Sequence, residues 1–200
     1  MRVIFIGPPG AGKGTQSQRL LRYLGVPHIS TGEILRDAVR MHTTEGLLAE
    51  KYMNEGHLVP DPIIIKLVGI RMDQADCKVG CLLDGFPRTL GQAQALDSYL
   101  QGRGIPLSGV LELRVNEEVL IQRLAGRGRT DDEPAVTRQR FQTYRERTEP
   151  LLEYYQERGL LAAINGIGTT DEVFERIKSA LDGFQRRAAA ARPTDPTKSA

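Results

Sequence analysis

The run Gly7-Pro8-Pro9-Gly10-Ala11-Gly12-Lys13-Gly14-Thr15 constrains this chain more than any other feature. A short apolar run, Val3 to Ile6, precedes it. A stretch with Leu20, Leu21 and Leu24 on one side of a helix, closed by Gly25, follows it. Strand, glycine-rich loop and helix in that order open a βαβ unit. Glycines let backbone N–H groups turn toward bound phosphate oxygens. The helix N-terminus behind the loop adds partial positive charge.

The loop has the form of a Walker A motif. Lys13 is placed to bridge β- and γ-phosphates, and a loop hydroxyl helps hold Mg²⁺. The general pattern puts Ser or Thr directly after the lysine, whereas here Gly14 intervenes before Thr15. Leu82-Leu83-Asp84 reads as a second buried strand ending in an acid, which places Asp84 beside the Mg²⁺ water shell. An Asp-Gly pair after a strand is more often only a turn. The residues that follow, Phe86-Pro87-Arg88, bring an arginine to the same strand edge as Lys13.

The remaining chain alternates in the same way. Val26 to Ser30 is a brief apolar stretch, and Ser30-Thr31-Gly32-Glu33 has capping-box spacing. Short helices are expected around Gly46 and Gly56, broken at Val59-Pro60-Asp61-Pro62, with Asp61 and Pro62 as an N-cap and N1 pair. Val110 to Val115 and Leu160 to Ile164 read as further strands. Pro150 is expected to kink or restart the helix that carries Arg140, Phe141, Tyr144 and Thr148. A last helix runs from Thr170 to about Phe184, and the polar tail from Gln185 has nothing to bury, so disorder is expected. The pattern implies a five-stranded parallel sheet of P-loop type with helices on both faces. Ligands in such sheets bind beyond the strand carboxyl ends, where Gly7 to Thr15, Asp84 to Arg88 and the loop after Ile164 all fall.

Composition excludes several classes. A hydrophobic fraction of 40% and a charged fraction of 26% suit an ordinary core. A net charge of +2 gives no case for a nucleic-acid or membrane partner. The two cysteines, Cys77 and Cys81, have no second pair to complete a metal site, so zinc is not expected. With a strand starting near Arg2 no leader is expected and a cytoplasmic location follows as an expectation; no dimer stripe is evident, so a monomer is expected.

Taken together, GPPGAGKGTQ, ISTGEILR (Ile29 to Arg36), DGFPR with Thr89 and Gln92, and GRGRTDD (Gly126 to Asp132) resemble adenylate kinase in order from Met1 to about Phe184. The GKGT ending is the form that family uses. The resemblance implies transfer of a phosphoryl group from ATP-Mg²⁺ to AMP, giving two ADP. It places Gly10, Ala11, Gly12, Lys13, Gly14 and Thr15 on ATP phosphates, with Arg123, Arg127 and the backbone of Gly168 also on ATP. It places Thr31, Arg36, Gly85, Phe86, Pro87, Arg88 and Gln92 on AMP, with contacts from Met53, His57, Leu58 and Val59. Arg36 and Arg88 would grip the phosphate as forks. Gln92 would read the adenine edge by a two-point amide contact. Arg129 and Arg140 would close on the transferring group, with Lys13, Arg88 and Asp84 completing the catalytic set.

Physics supports that ring of cations, because phosphoryl transfer needs positioning and positive charge around a polyanion. Arg138, Arg145 and Arg147 read as solvated helix-face residues, whereas Arg140 adjoins Phe141 and Tyr144 at the edge of the apolar stripe. His28, His42 and His57 are assigned no catalytic role. The organisation implied is a core over 1–184, an AMP-binding lobe over 30–59, a short lid over 126–133 and a tail over 185–200. Two alternatives stay open. UMP and CMP kinases resemble SAG where this chain has Ser30-Thr31-Gly32, and DGFPRN where it has Thr89. A non-catalytic nucleotide-binding module would have no reason to keep Arg88, Arg129 and Arg140 together.

Overall fold

The computed structural model describes residues 1–126 and 133–190. Five strands form one parallel sheet: β1 (Arg2–Ile6), β2 (His28–Ser30), β3 (Cys81–Asp84), β4 (Gly109–Arg114) and β5 (Leu161–Asn165), in the order β2-β3-β1-β4-β5. The expected five-stranded P-loop-type sheet is the one observed. Register brings the carboxyl ends level: Ser30 and Phe5 both pair with Asp84, and Ile6 pairs with Glu112.

Side-chain alternation explains why helices cover both faces. Ile4 and Ile6 of β1, with Leu83 of β3, enter one core, packed by α4 (Asp61–Met72), α5 (Leu90–Gln101) and α8 (Pro150–Glu157). Val3, Phe5 and Leu82 enter the other, packed by α1 (Lys13–Leu24), α6 (Glu117–Ala125), α7 (Pro134–Thr143) and α9 (Thr170–Ala190). Each fully buried Leu or Ile among them contributes about 1.5–3 kcal/mol.

Some local expectations hold in the fold and others change. Ser30 does cap α2 (Thr31–Arg40), its hydroxyl accepting the Glu33 N–H at 3.4 Å. Gly46 lies inside the first turn of α3 (Thr44–Asn54), one of the short helices expected there. A Cβ there would sit 2.1 Å from the Ala38 carbonyl oxygen, so glycine is what lets α2 and α3 touch. Asp61 is not a side-chain cap: Pro60 occupies the cap position, and the carboxylate is committed elsewhere. Pro150 restarts the helix, as expected, at the first position of α8. The turn Tyr144–Thr148 widens to π geometry, with Glu149 N–H reaching the Tyr144 carbonyl at 2.9 Å, and the rod runs on into α8. The last helix passes Phe184 and continues to Ala190. Residues 185–190 are good helix formers; Arg187 also stacks on Phe184 and Gln185 reaches Met1. The rest of the tail, 191–200, lies outside the described residues.

Candidate active site

The glycine loop folds around its own lysine. Gly10 and Gly12 take positive φ values of 80° and 97°, the left-handed region that disfavours a side chain. Gly12 occupies the N-cap position of α1 without a side-chain cap, so the first-turn N–H groups have no capping side chain. Lys13 Nζ donates to the carbonyls of Gly7 (2.6 Å) and Pro8 (3.1 Å), which holds the ammonium over the loop.

Asp84 ends β3 next to this loop. Ser17 of α1 donates to its Oδ2 at 3.3 Å, and His28 Nε2 stands 3.4 Å from the same oxygen. Burial pushes the Asp84 carboxyl upward, but His28, Lys13 and Arg88 together hold it below the usual carboxylate range. Asp84 is therefore an anion fixed at the floor of the site. Sequence reasoning missed Ser17 and His28. No local signal marks them, because both become neighbours of Asp84 only through the sheet and α1.

The segment after Asp84 is held from three sides. Thr31 Oγ1 and Arg88 Nε both donate to the Gly85 carbonyl, at 2.8 and 2.9 Å. Thr148, in the widened turn, donates to the Arg88 carbonyl at 3.1 Å. Gln92 Oε1 accepts the Arg88 N–H at 2.8 Å. Thr143 donates to the Gly56 carbonyl at 3.4 Å, tying the same rod to the loop before α4.

Two cavities open onto these residues. One, of about 340 Å³, is lined by Thr31, Arg36, Met53, His57, Leu58, Val59, Gly85, Arg88, Gln92 and Arg140. The other, of about 850 Å³, is lined by Gly10 to Thr15, Asp84, Arg123 and Gly168, with Arg36, Arg88 and Arg140. Three arginines thus border both cavities. Arg140 is half-buried, whereas Arg138, Arg145 and Arg147 are exposed, as the apolar stripe implied. Pro87 borders a smaller recess beside Lys13 and Arg88. Phe86 lines none of these and is buried in the core, 2% exposed. Arg123 donates to the carbonyls of Ala11 (3.2 Å) and Gly166 (3.1 Å), joining the glycine loop to the loop after β5. Arg127 and Arg129, and with them most of the expected lid, lie outside the described residues.

A family model described as adenylate kinase matches residues 5–160. The chain belongs to the adenylate kinase family. It is 49% identical over 181 residues to an adenylate kinase of Mycobacteroides abscessus, covering 90% of this chain and 99% of that one. It is 45% identical over 195 residues to the adenylate kinase of Methylobacterium nodulans, covering 92% and 98%. With that of Nitrobacter winogradskyi it shares 47% identity over 191 residues, covering 90% and 93%. Membership makes the chain a nucleoside monophosphate kinase, a transferase.

The oxygen donors fit Mg²⁺. Thr15 and Asp84 line the larger cavity with Lys13, and no cluster of three His, Cys, Asp or Glu able to hold a metal occurs among the described residues. A cation there would be held mainly by phosphate oxygens and water, the habit of Mg²⁺ rather than of a metal in an all-protein cage. Among the described residues no helix is long and apolar enough to cross a membrane.

Proposed function

We propose that this chain transfers the γ-phosphoryl group of ATP-Mg²⁺ to AMP, reversibly, giving two ADP. The observation that carries the reading is the wall formed by Arg36, Arg88 and Arg140, which borders both cavities at once. Two polyanions brought together repel, and fixed cations at their junction are what in-line transfer needs.

ATP occupies the larger cavity, its phosphates on the N–H groups of Gly10 to Thr15 and on Lys13. Arg123 and the Gly168 backbone face its nucleoside end, and Arg127 covers it. Thr15 and Asp84 would hold the Mg²⁺ with its water shell, and the ion would supply charge neutralisation to the ATP phosphates. AMP occupies the smaller cavity, with Arg36 and Arg88 as forks on its phosphate. Thr31, Gly85 and the 57–59 backbone enclose the nucleoside, and Gln92 faces the base. Arg129 and Arg140 stabilise charge on the group in flight. The segments 30–59 and 126–133 close over the two nucleotides and keep water from the phosphoryl group. The enzyme works as a cytoplasmic monomer; light scattering on the eluted peak tests the oligomeric state.

The deciding experiment offers ATP-Mg²⁺ with AMP, UMP, CMP or GMP and measures the diphosphates formed, beside a Lys13→Ala control. Preference for AMP with a dead control is expected. Preference for UMP or CMP would overturn the base assignment, and ATP binding without turnover would overturn catalysis itself.

A further inference from the structure

The side chain of Gln92 is held at both ends. Its Oε1 accepts the Arg88 backbone N–H at 2.8 Å, and its Nε2 donates to Asp61 Oδ1 at 2.7 Å. The other carboxylate oxygen, Asp61 Oδ2, accepts the Thr89 hydroxyl proton at 2.7 Å, and Thr89 Oγ1 in turn accepts the Gln92 backbone N–H at 3.1 Å. The ring spans the start of α4 and the start of α5, and Thr89 and Gln92 within it are buried. A backbone N–H can only donate and a carboxylate can only accept. The amide therefore has one orientation. Turned over, its oxygen would face the carboxylate and its NH₂ would face the Arg88 N–H.

Each end of the amide keeps a second valence. Nε2 has another hydrogen and Oε1 another lone pair, and Gln92 lines the smaller cavity. The ligand there meets an acceptor and a donor in fixed order. A 6-aminopurine presents the complementary edge, a donating amino group beside an accepting N1. A 6-oxopurine presents the reverse, an accepting oxygen beside a donating N1–H. A freely turning amide would read both.

We propose that Asp61 is the positioning residue that fixes this order, and so sets selectivity for 6-aminopurine over 6-oxopurine monophosphates. The inference rests on the reading of the smaller cavity as the AMP site. Asp61 does not touch the nucleotide; it acts through Gln92.

The test compares kcat/KM for AMP and for inosine monophosphate, which swaps the edge without adding a 2-amino group, in the parent, Asp61→Asn and Asp61→Ala. Because a mispaired buried polar edge is what the site discriminates with, the AMP preference should fall by about tenfold or more in Asp61→Ala, whereas Asp61→Asn, whose Oδ1 still accepts from Gln92 Nε2, should keep it. The change should lie in the two monophosphate KM values, rising for AMP and falling for inosine monophosphate. A merely structural loss would slow both substrates by one factor, and an unchanged ratio in an Asp61→Ala variant with a cooperative melt overturns the proposal. In the parent itself, NMR should show the two Gln92 side-chain amide protons shifted from random-coil positions and protected from exchange with water; a pair at random-coil shifts that exchanges as fast as a surface glutamine overturns it equally, whatever the variants do. If the parent does not phosphorylate AMP, the AMP reading fails by that result alone, while the NMR still judges the lock.

Discussion

Thr148 donates its hydroxyl to the carbonyl of Arg88 across 3.1 Å, joining the widened turn before Pro150 to the loop that follows β3. The hydroxyl reaches that loop from a turn whose extra residue accommodates Pro150, so the irregularity of the helix and the placement of the arginine belong together. Thr148→Val keeps the shape and removes the donor. A part-buried carbonyl left unpaired costs about 1–3 kcal/mol. Urea unfolding should show a loss in that range, and KM for AMP should rise while KM for ATP holds. Equal stability and equal KM would show that the bond anchors nothing.

Two glycines should respond oppositely to alanine. At Gly46 a Cβ would meet the Ala38 backbone, carbonyl oxygen at 2.1 Å and amide nitrogen of Val39 at 2.6 Å, so α2 and α3 must part. Overpacking of this kind costs about 1–3 kcal/mol or more. At Gly14, inside the first turn of α1, a Cβ would meet nothing within 4 Å. Gly14→Ala should melt no lower than the parent, and by helix propensity up to about 1 kcal/mol of stability can be gained. Circular dichroism melts of the two variants decide this, and a Gly46→Ala variant as stable as the parent would contradict the close approach.

What was legible in the sequence was local. Gly7 to Thr15, four of the five strands and the Ser30 cap are written in contiguous residues and stand where the pattern put them, to within a residue or so, whereas β2 was legible only as a brief apolar stretch. Asp61 was misread because its chain neighbours look like a helix start, while its partners Thr89 and Gln92 lie about thirty residues on and meet it only when α4 packs beside α5. The reason for a glycine at position 46 was not legible, because composition does not show the neighbouring Ala38 backbone. Arg123 was read as a nucleotide ligand from resemblance; its guanidinium also ties Ala11 to Gly166, a contact between loops that sequence order keeps far apart. His28 carried no motif at all, and only strand pairing sets it against Asp84.

Asp84 makes stability depend on acid in a definite direction. Its folded-state pKa is lowered, despite burial, by His28, Lys13 and Arg88. A lowered carboxyl binds its proton less readily folded than unfolded, so its contribution is present above the unfolded value of about 3.9 and is lost as pH falls through the folded one. Asp84→Asn should therefore be less stable than the parent at neutral pH, and the margin should narrow below about pH 4. Urea midpoints across pH measure this. A margin that widens in acid would reverse the sign and contradict the ion contacts.

If cations at the junction of the two cavities act on the phosphoryl group in flight, turnover of Arg140→Ala with ATP-Mg²⁺ and AMP must show it. Arg140 borders both cavities from α7 and is half-buried there. With its melting midpoint within a few degrees of the parent, the variant should lose about 10³-fold or more in kcat. A folded variant that keeps kcat within about tenfold of the parent would contradict the account, because an arginine that stabilises the transferring group cannot be removed so cheaply.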